Sequence, residues 1–310
     1  MLLGAIFQSV PDIDFMGAFF FGLTENLLAH RGITHSLFFL VLATVVIALI
    51  CRKVFPGKIA WHNWIFFIAL EIGVHLLLDA SNNYGMGLLE PFSNERMALH
   101  IIFVADPLFS IWTVVAVLVL MFLKQGSSKR KTWCITSIAL TSLYFIFCAR
   151  NKLDIESDHS NALQQQGIAY QQKLSTPTPF NNLLWFLAAG GDDGYYIGYR
   201  SVFDKTPSID YRFFPRNDSL LKGWEETETV KDLKRFSQGF YTIEKWGDTL
   251  VFNDLRFGQM VGWHDPKERF VFHYLISLPD AENRLVVQRG RFAKWNRETL
   301  GSMWTRIKGE

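Results

Sequence analysis

Charge is scarce in the first half of this 310-residue chain and ordinary in the second. Residues 1–150 hold 8 acidic and 10 basic side chains, 18 in 150 positions, whereas residues 151–310 hold 21 of each sign, 42 in 160. Cysteine is scarcer still. The three present, Cys51, Cys134 and Cys148, all lie in the first half, so disulfides contribute nothing to the second. Neither half has a strong excess of one sign, and the net charge is +2, so a basic nucleic-acid-binding tail is excluded and no nucleic acid is expected as a partner. With 28 Phe, 10 Trp and 9 Tyr and a mean hydropathy of +0.13, the chain is neither disordered nor a collagenous or disulfide-stapled scaffold. The two halves are composed for different solvents.

Four stretches of the first half are long and nearly charge-free: 32–51, 59–78 (interrupted by Glu71), 107–123 and 132–149. Each approaches the ~20 residues a helix needs to cross ~30 Å of hydrocarbon. They predict about four transmembrane helices, preceded by a short N-terminal helical segment. Arg52, Lys53 and Lys58 follow the first run, and Lys124, Lys129, Arg130 and Lys131 lie between the last two, so both loops are expected in the cytoplasm. Residues 1–35, the 79–106 loop and everything after Arg150 then face outward. A cleavable signal peptide is not expected, because Met1–Val10 lacks a charged start and meets Pro11 and Asp12 at once. The predicted architecture is an α-helical membrane domain (1–150), a connector (151–179), and a small exported α+β domain (180–310) built mainly on antiparallel sheet.

Ionisable groups near a bilayer are costly and call for a reason. Outside the two basic loops, most map to the outward end, although Lys and Arg alone set the topology. His75-Leu76-Leu77-Leu78-Asp79 puts an imidazole and a carboxylate on one helix face, able to share a metal ion or simply to bond to each other. Glu71, one turn deeper, could orient His75. In Pro11-Asp12-Ile13-Asp14, Pro11 pushes Val10 out of the helical region, and an extended segment would point Asp12 and Asp14 to the same side. In His30-Arg31-Gly32-Ile33-Thr34-His35-Ser36, Thr34 is a plausible N-cap for the first span, Gly32 permits a turn that lets both histidines reach one site, and Arg31 supplies a fixed cation. For each motif alone a bland reading stands beside the chemical one: a helix-fastening pair, a solvated turn, an interfacial histidine. Together they match the carboxylate and imidazole set that holds Zn²⁺ or Mn²⁺ with open positions for water.

These motifs, with Asn82-Asn83-Tyr84-Gly85, Leu89-Glu90-Pro91-Phe92-Ser93 and Asp106-Pro107-Leu108-Phe109, resemble the YdjM-type inner-membrane metal-dependent hydrolase family. The resemblance runs through residues 1–150 and extends to Thr178–Trp185 and Asp193–Tyr196. The order Asp, His, then His-x-x-x-Asp is also similar to that of the zinc-dependent phospholipase C and P1 nuclease group. The resemblance implies a divalent metal, Zn before Mn, held by Asp12 or Asp14, His35, His75 and Asp79, with His30 as an additional ligand and Arg31 as a phosphate contact. Asp14 or Asp106, where free of metal, would accept a proton. Two departures accompany it. Relatives usually begin with an Asp-x-x-Thr-His helix that Met1 here starts inside, so a ligand histidine is expected to be missing or to precede this Met. The position of His100 is usually acidic or polar.

The second half reads as strands at 183–187, 195–203, 240–244, 249–252 and 269–277, with a Trp246-Gly247-Asp248 hairpin turn and a helix over 222–236. Thr176-Pro177-Thr178-Pro179 ends the polar, partly helical connector. Arg200, Arg256 and Asp265 could touch a substrate, although nothing in their spacing selects them. His273, alternating with apolar neighbours, is expected to be structural, and the domain to act as a lid or recognition module. The function expected is a multi-pass inner-membrane hydrolase acting on a phosphoester or other ester of a lipid-like substrate at the outer interface. A non-enzymatic envelope binding or scaffold protein is the alternative, and a transporter is disfavoured because the charges gather at one face.

Overall fold

The computed structural model describes residues 2–276 and 294–309. In the first half, α1 (Leu2–Gln8) leads into a 3-10 turn (Pro11–Phe19), α2 (Leu23–Ala29) and a second short 3-10 turn (Ile33–His35). Three helices that follow are long and apolar enough to cross a membrane: α3 (Leu37–Val54), α4 (Trp61–Ala80) and α6 (Lys129–Gln165). The equally apolar α5 (Pro107–Phe122) has 16 residues. Along α3, Val41, Leu42, Val45, Val46, Leu49 and Ile50 are exposed, an apolar surface that water would not tolerate and lipid does. Its small residues Ala43 and Ala48 are buried with Ile68, Ile72 and Leu76 of α4, so α3 and α4 form a tight hairpin.

Ser36, not Thr34, caps α3: its hydroxyl accepts from the Phe39 amide, and the Thr34 hydroxyl donates to Asp14 instead. Three cations open α6 in its first turn, where the helix dipole disfavours them. Their placement therefore reflects the membrane boundary and not local helix stability. The helix continues unbroken past Arg150 to Gln165, and its last turns carry the buried residues Ile155, His159, Ala162 and Leu163. Ile155 and Ala162 pack on Trp185, Leu187 and Ile209, joining the membrane half to the first sheet.

That sheet is antiparallel, in the order β1 (Gln172–Pro177), β2 (Leu184–Gly190), β3 (Gly194–Ser201), β4 (Arg212–Pro215). A second antiparallel sheet has β5 (Tyr241–Trp246), β6 (Thr249–Gln259) and β7 (Phe270–Ile276), with a register shift in β6 between Asp254 and Gln259. Leu174, Phe186, Tyr195 and Ile197 of the first sheet share a core with Leu255 and Phe270 of the second. The far side of the second sheet is covered by α7 (Glu228–Phe236), through Val230, Leu233 and Phe236. Leu27, Leu28 and Tyr84 of the membrane half pack against this same cluster. A last helix, α8 (Arg297–Ile307), returns to β3, where Arg306 donates to Tyr199 O and pairs with Asp204 just beyond the strand.

The expected mixed, sheet-dominated domain is present, with corrections. Residues 172–177 form β1 although they end in Pro177, and 212–215 form β4, neither of which the alternation revealed. The helix expected from 222 begins at Glu228. Ser277, the end of the last expected strand, lies outside the described residues. Arg256 is fully buried against Asp254, and Arg200 is held by Asp158, so neither is free to meet a substrate.

Candidate metal centre

The hairpin geometry of α3 and α4 determines where the site lies. α3 starts, and α4 ends, at the same end of the bundle. The basic Arg52–Lys58 loop is at the other end, about 27 Å away for an 18-residue helix. His75 and Asp79, one turn apart on α4, face the turn that carries His35. Asp12 arrives from the 3-10 turn. One ligand-type atom from each of Asp12, His35, His75 and Asp79 lies within 4.8 Å of every other.

The spacing is informative. His35 Nε2 and His75 Nε2 are 3.2 Å apart. Asp79 Oδ2 is 3.3 Å from the first and 3.6 Å from the second, and Asp12 Oδ1 is 3.6 Å from both. Four ligands about 2.0–2.1 Å from a tetrahedral ion would stand roughly 3.3 Å from one another. Five of the six edges thus have the length that a small divalent ion requires. The polar inventory points the same way: Asp79 Oδ2 is buried and has no hydrogen bond among the described residues, although the nitrogens Arg31 Nε, His35 Nε2 and His75 Nε2 surround it. Two imidazole lone pairs facing each other at this distance repel unless a proton or a metal stands between them.

Asp14 is placed differently from Asp12. It accepts from the Arg31 amide at 2.8 Å and the Thr34 hydroxyl at 2.9 Å, and lies 3.0 Å from His30 Nδ1 and 3.1 Å from His35 Nδ1. Burial would raise its pKa, but the hydrogen bonds of His30, His35 and the Arg31 amide prevail and hold it well below the usual carboxylate range. An ionised Asp14 fixes the His35 tautomer: Nδ1–H donates backward and Nε2 offers its lone pair to the cluster. Burial of His35 opposes its charged form, yet Asp14 and Asp79 outweigh that and raise its pKa above the ordinary value. The expected extended Pro11–Asp14 segment is instead 3-10, and Val10, before the proline, is helical at φ −60°, ψ −41°. Residues two apart diverge on such a turn, so Asp12 enters the cluster and Asp14 stands behind it.

The remaining expected residues divide between the cluster and other places. Arg31, in the left-handed region at φ 58°, pairs through Nε with Asp79 Oδ2 at 3.0 Å, donates to Asn82 Oδ1, and lies over the Tyr84 ring. His30 touches the site through Asp14 and is not among the four converging groups. Glu71 makes no hydrogen bond to His75 among the described residues and lies beside Gly4 of α1. Asp106 is elsewhere: it caps α5, accepting from the Leu108 and Phe109 amides, and takes a hydrogen bond from Tyr144 of α6. Asn82, the first residue of the Asn82–Gly85 motif, accepts from Arg31 and orients it.

Residues 1–154 match the family described as YdjM inner membrane protein. The chain is 33% identical over 99 residues to the inner membrane protein YbcI of Escherichia coli K12, covering 31% of this chain and 56% of that protein. It is 29% identical over 117 residues to the uncharacterized protein YfhP of Bacillus subtilis 168, covering 38% of this chain and 35% of that one. The matches thus span between about a third and just over half of these relatives. No solved structure matches. Through its N-terminal half the chain belongs to the YdjM inner membrane protein family.

Proposed function

We propose, from that membership and from the geometry of the cluster, a membrane-bound hydrolase in which Asp12, His35, His75 and Asp79 hold one divalent metal, Zn²⁺ in preference to Mn²⁺. The observation that carries this reading is the near-tetrahedral spacing of the four ligand atoms. Two imidazoles and two carboxylates suit zinc, and the half-exposed Asp12 side chain leaves one side open to water and substrate.

When bound, such an ion lowers the pKa of its water toward ~7 and polarises an ester oxygen. The chain's own groups supply the rest. Arg31 places a fixed cation at the edge of the cluster, where charge developing on a phosphoester would be offset. His30, half exposed and oriented by Asp14 at Nδ1, makes no Nε2 hydrogen bond among the described residues and is the group we assign to carry the proton. Asp14 positions both histidines, and Asp106 takes no part. The substrate assigned is a phosphoester or other ester of a lipid-like molecule, reached at the outer face. In this reading α5 is a fourth span, the two basic loops are cytoplasmic, and residues after Arg150 lie outside.

Elemental analysis of the full-length protein in detergent tests the metal. About one zinc per chain is expected. In His75→Ala and Asp79→Ala, metal and hydrolysis of generic phosphodiester, phosphomonoester or carboxyl-ester probes should be lost together while the fold is retained. Wild-type protein that takes up no transition metal, or folded variants that keep it, would overturn the assignment.

A further inference from the structure

A second concentration of charge lies where the 79–106 loop meets the end of α7. Asn94, Glu95 and Arg96 of that loop and Lys234, Arg235 and Gln238 at the end of α7 line a cleft of about 500 Å³. Its lining carries three cations against one carboxylate. Arg96 is 8% exposed, and among the described residues its guanidinium donates only to carbonyls: Leu28 O at 3.0 Å, His30 O at 3.1 Å and Gly85 O at 2.8 Å. Its Nε has no hydrogen-bond partner among the described residues, and neither has Gln238 Nε2. Gln238 is itself held in the left-handed region at φ 53°. Gly85 opposite, at φ 74°, has no room for a Cβ, which would meet Gln238 Nε2 at 2.4 Å.

Buried donors without acceptors are costly, and so is a guanidinium facing other cations. Burial, then the nearby Arg256, Arg235 and Arg31, push the Arg96 pKa down to about 9, with Glu90 opposing. Glu90 is already engaged by Arg235 at 3.2 Å. Lys234 has no carboxylate partner among the described residues and lies over the Tyr241 ring. Cations in the last turn of a helix ordinarily serve its own negative end. Here Arg235 reaches away, to Asn94 O and Oδ1.

The cleft also lies at a definite depth. Phe92, two residues before Asn94, is exposed and packs edge-on against Phe38 in the first turn of α3, where that span begins. From this charge, these unpaired donors and this depth, we infer that the cleft formed by Asn94–Arg96 and Lys234–Gln238 binds a phosphate-class anion, separately from the metal centre. The anion is either the headgroup phosphate of an outer-leaflet lipid or free phosphate.

The full-length protein in a phosphate-free sugar detergent, titrated with inorganic phosphate, tests this. Saturable binding or thermal stabilisation is expected in the wild type and in Asp79→Asn. Lys234→Gln, or Asn94→Asp, which keeps an acceptor for Arg235 while adding negative charge, should weaken it by about tenfold or more. If a lipid is the natural occupant, nanodiscs containing phosphatidylglycerol will stabilise the wild type and blunt its response to added phosphate, and both cleft variants will lose that effect. If the source is free phosphate, the response will be the same in detergent and in the nanodiscs. Absence of saturable binding from either source would overturn the site. So would binding unchanged in both cleft variants, or binding that vanishes in Asp79→Asn, since the anion would then be on the metal.

Discussion

Asp12 and Asp14 show how one residue of separation becomes a difference in chemistry. Both are carboxylates in the same tetrapeptide, yet one is exposed among the converging ligands and the other is buried with four hydrogen-bonding neighbours. A group that orients a metal-bound imidazole typically changes metal affinity by 10–100-fold when removed. Asp14→Asn, nearly isosteric, should therefore keep the fold but weaken zinc binding by about 10–100-fold, measured by competition with a chromophoric chelator. An amide can donate as well as accept, so it no longer selects the tautomer that presents His35 Nε2. Asp12→Asn should remove a ligand directly and leave His35 oriented. If Asp14→Asn binds zinc as tightly as the wild type, the positioning role fails. His35, His75 and Asp79 were legible in the sequence from residue type and spacing. The division of labour between Asp12 and Asp14 was not, because it depends on whether Pro11–Asp14 is extended or 3-10.

Among the elements, those with a single demand on them were the easiest to read. The charge-free runs over 32–51 and 59–78 correspond to α3 and α4, since exclusion of charge from lipid leaves no other signal to compete with it. α6 serves two solvents, and composition changes at Arg150 while the helix continues to Gln165. β1 was hidden because Pro177 reads as a breaker, although at the end of a strand paired on one side it costs no ladder bond. Asp106 belongs to this level too. Its place beside Pro107 suited a catalytic carboxylate by resemblance, but its contacts are those of an N-cap that also ties α5 to α6 through Tyr144. Asp106→Ala should lower stability by about 1–2 kcal/mol, read as an earlier thermal transition in detergent, with zinc content unchanged. Loss of metal or of hydrolysis at undiminished stability would return Asp106 to the site.

At the scale of the whole molecule, the sheet-bearing half bears directly on the membrane half. Arg256 of β6, buried with Asp254, donates to Tyr84 O, and the Tyr84 ring lies under Arg31, which pairs with Asp79. The sheets therefore have to fold on the same side of the bilayer as the metal ligands. That side follows from charge: the last turn of α3 and the α3–α4 connection carry Arg52, Lys53 and Lys58, and the α5–α6 connection and the first turn of α6 carry Lys124, Lys129, Arg130 and Lys131, both at the opposite end from the cluster. Basic connections are retained in the cytoplasm, so cluster and sheets should face outward. Two exposed positions report on this without touching the core: Lys58 between α3 and α4, and Asp248 at the β5–β6 turn. With Cys51, Cys134 and Cys148 replaced by alanine, Asp248→Cys should react with a membrane-impermeant maleimide in intact spheroplasts. Lys58→Cys should react only after permeabilisation. The reverse pattern would invert the orientation and put the open side of the metal centre in the cytoplasm. Labelling of both from outside would mean that α3 does not cross the membrane, and the α3–α4 hairpin would then have to lie within one leaflet.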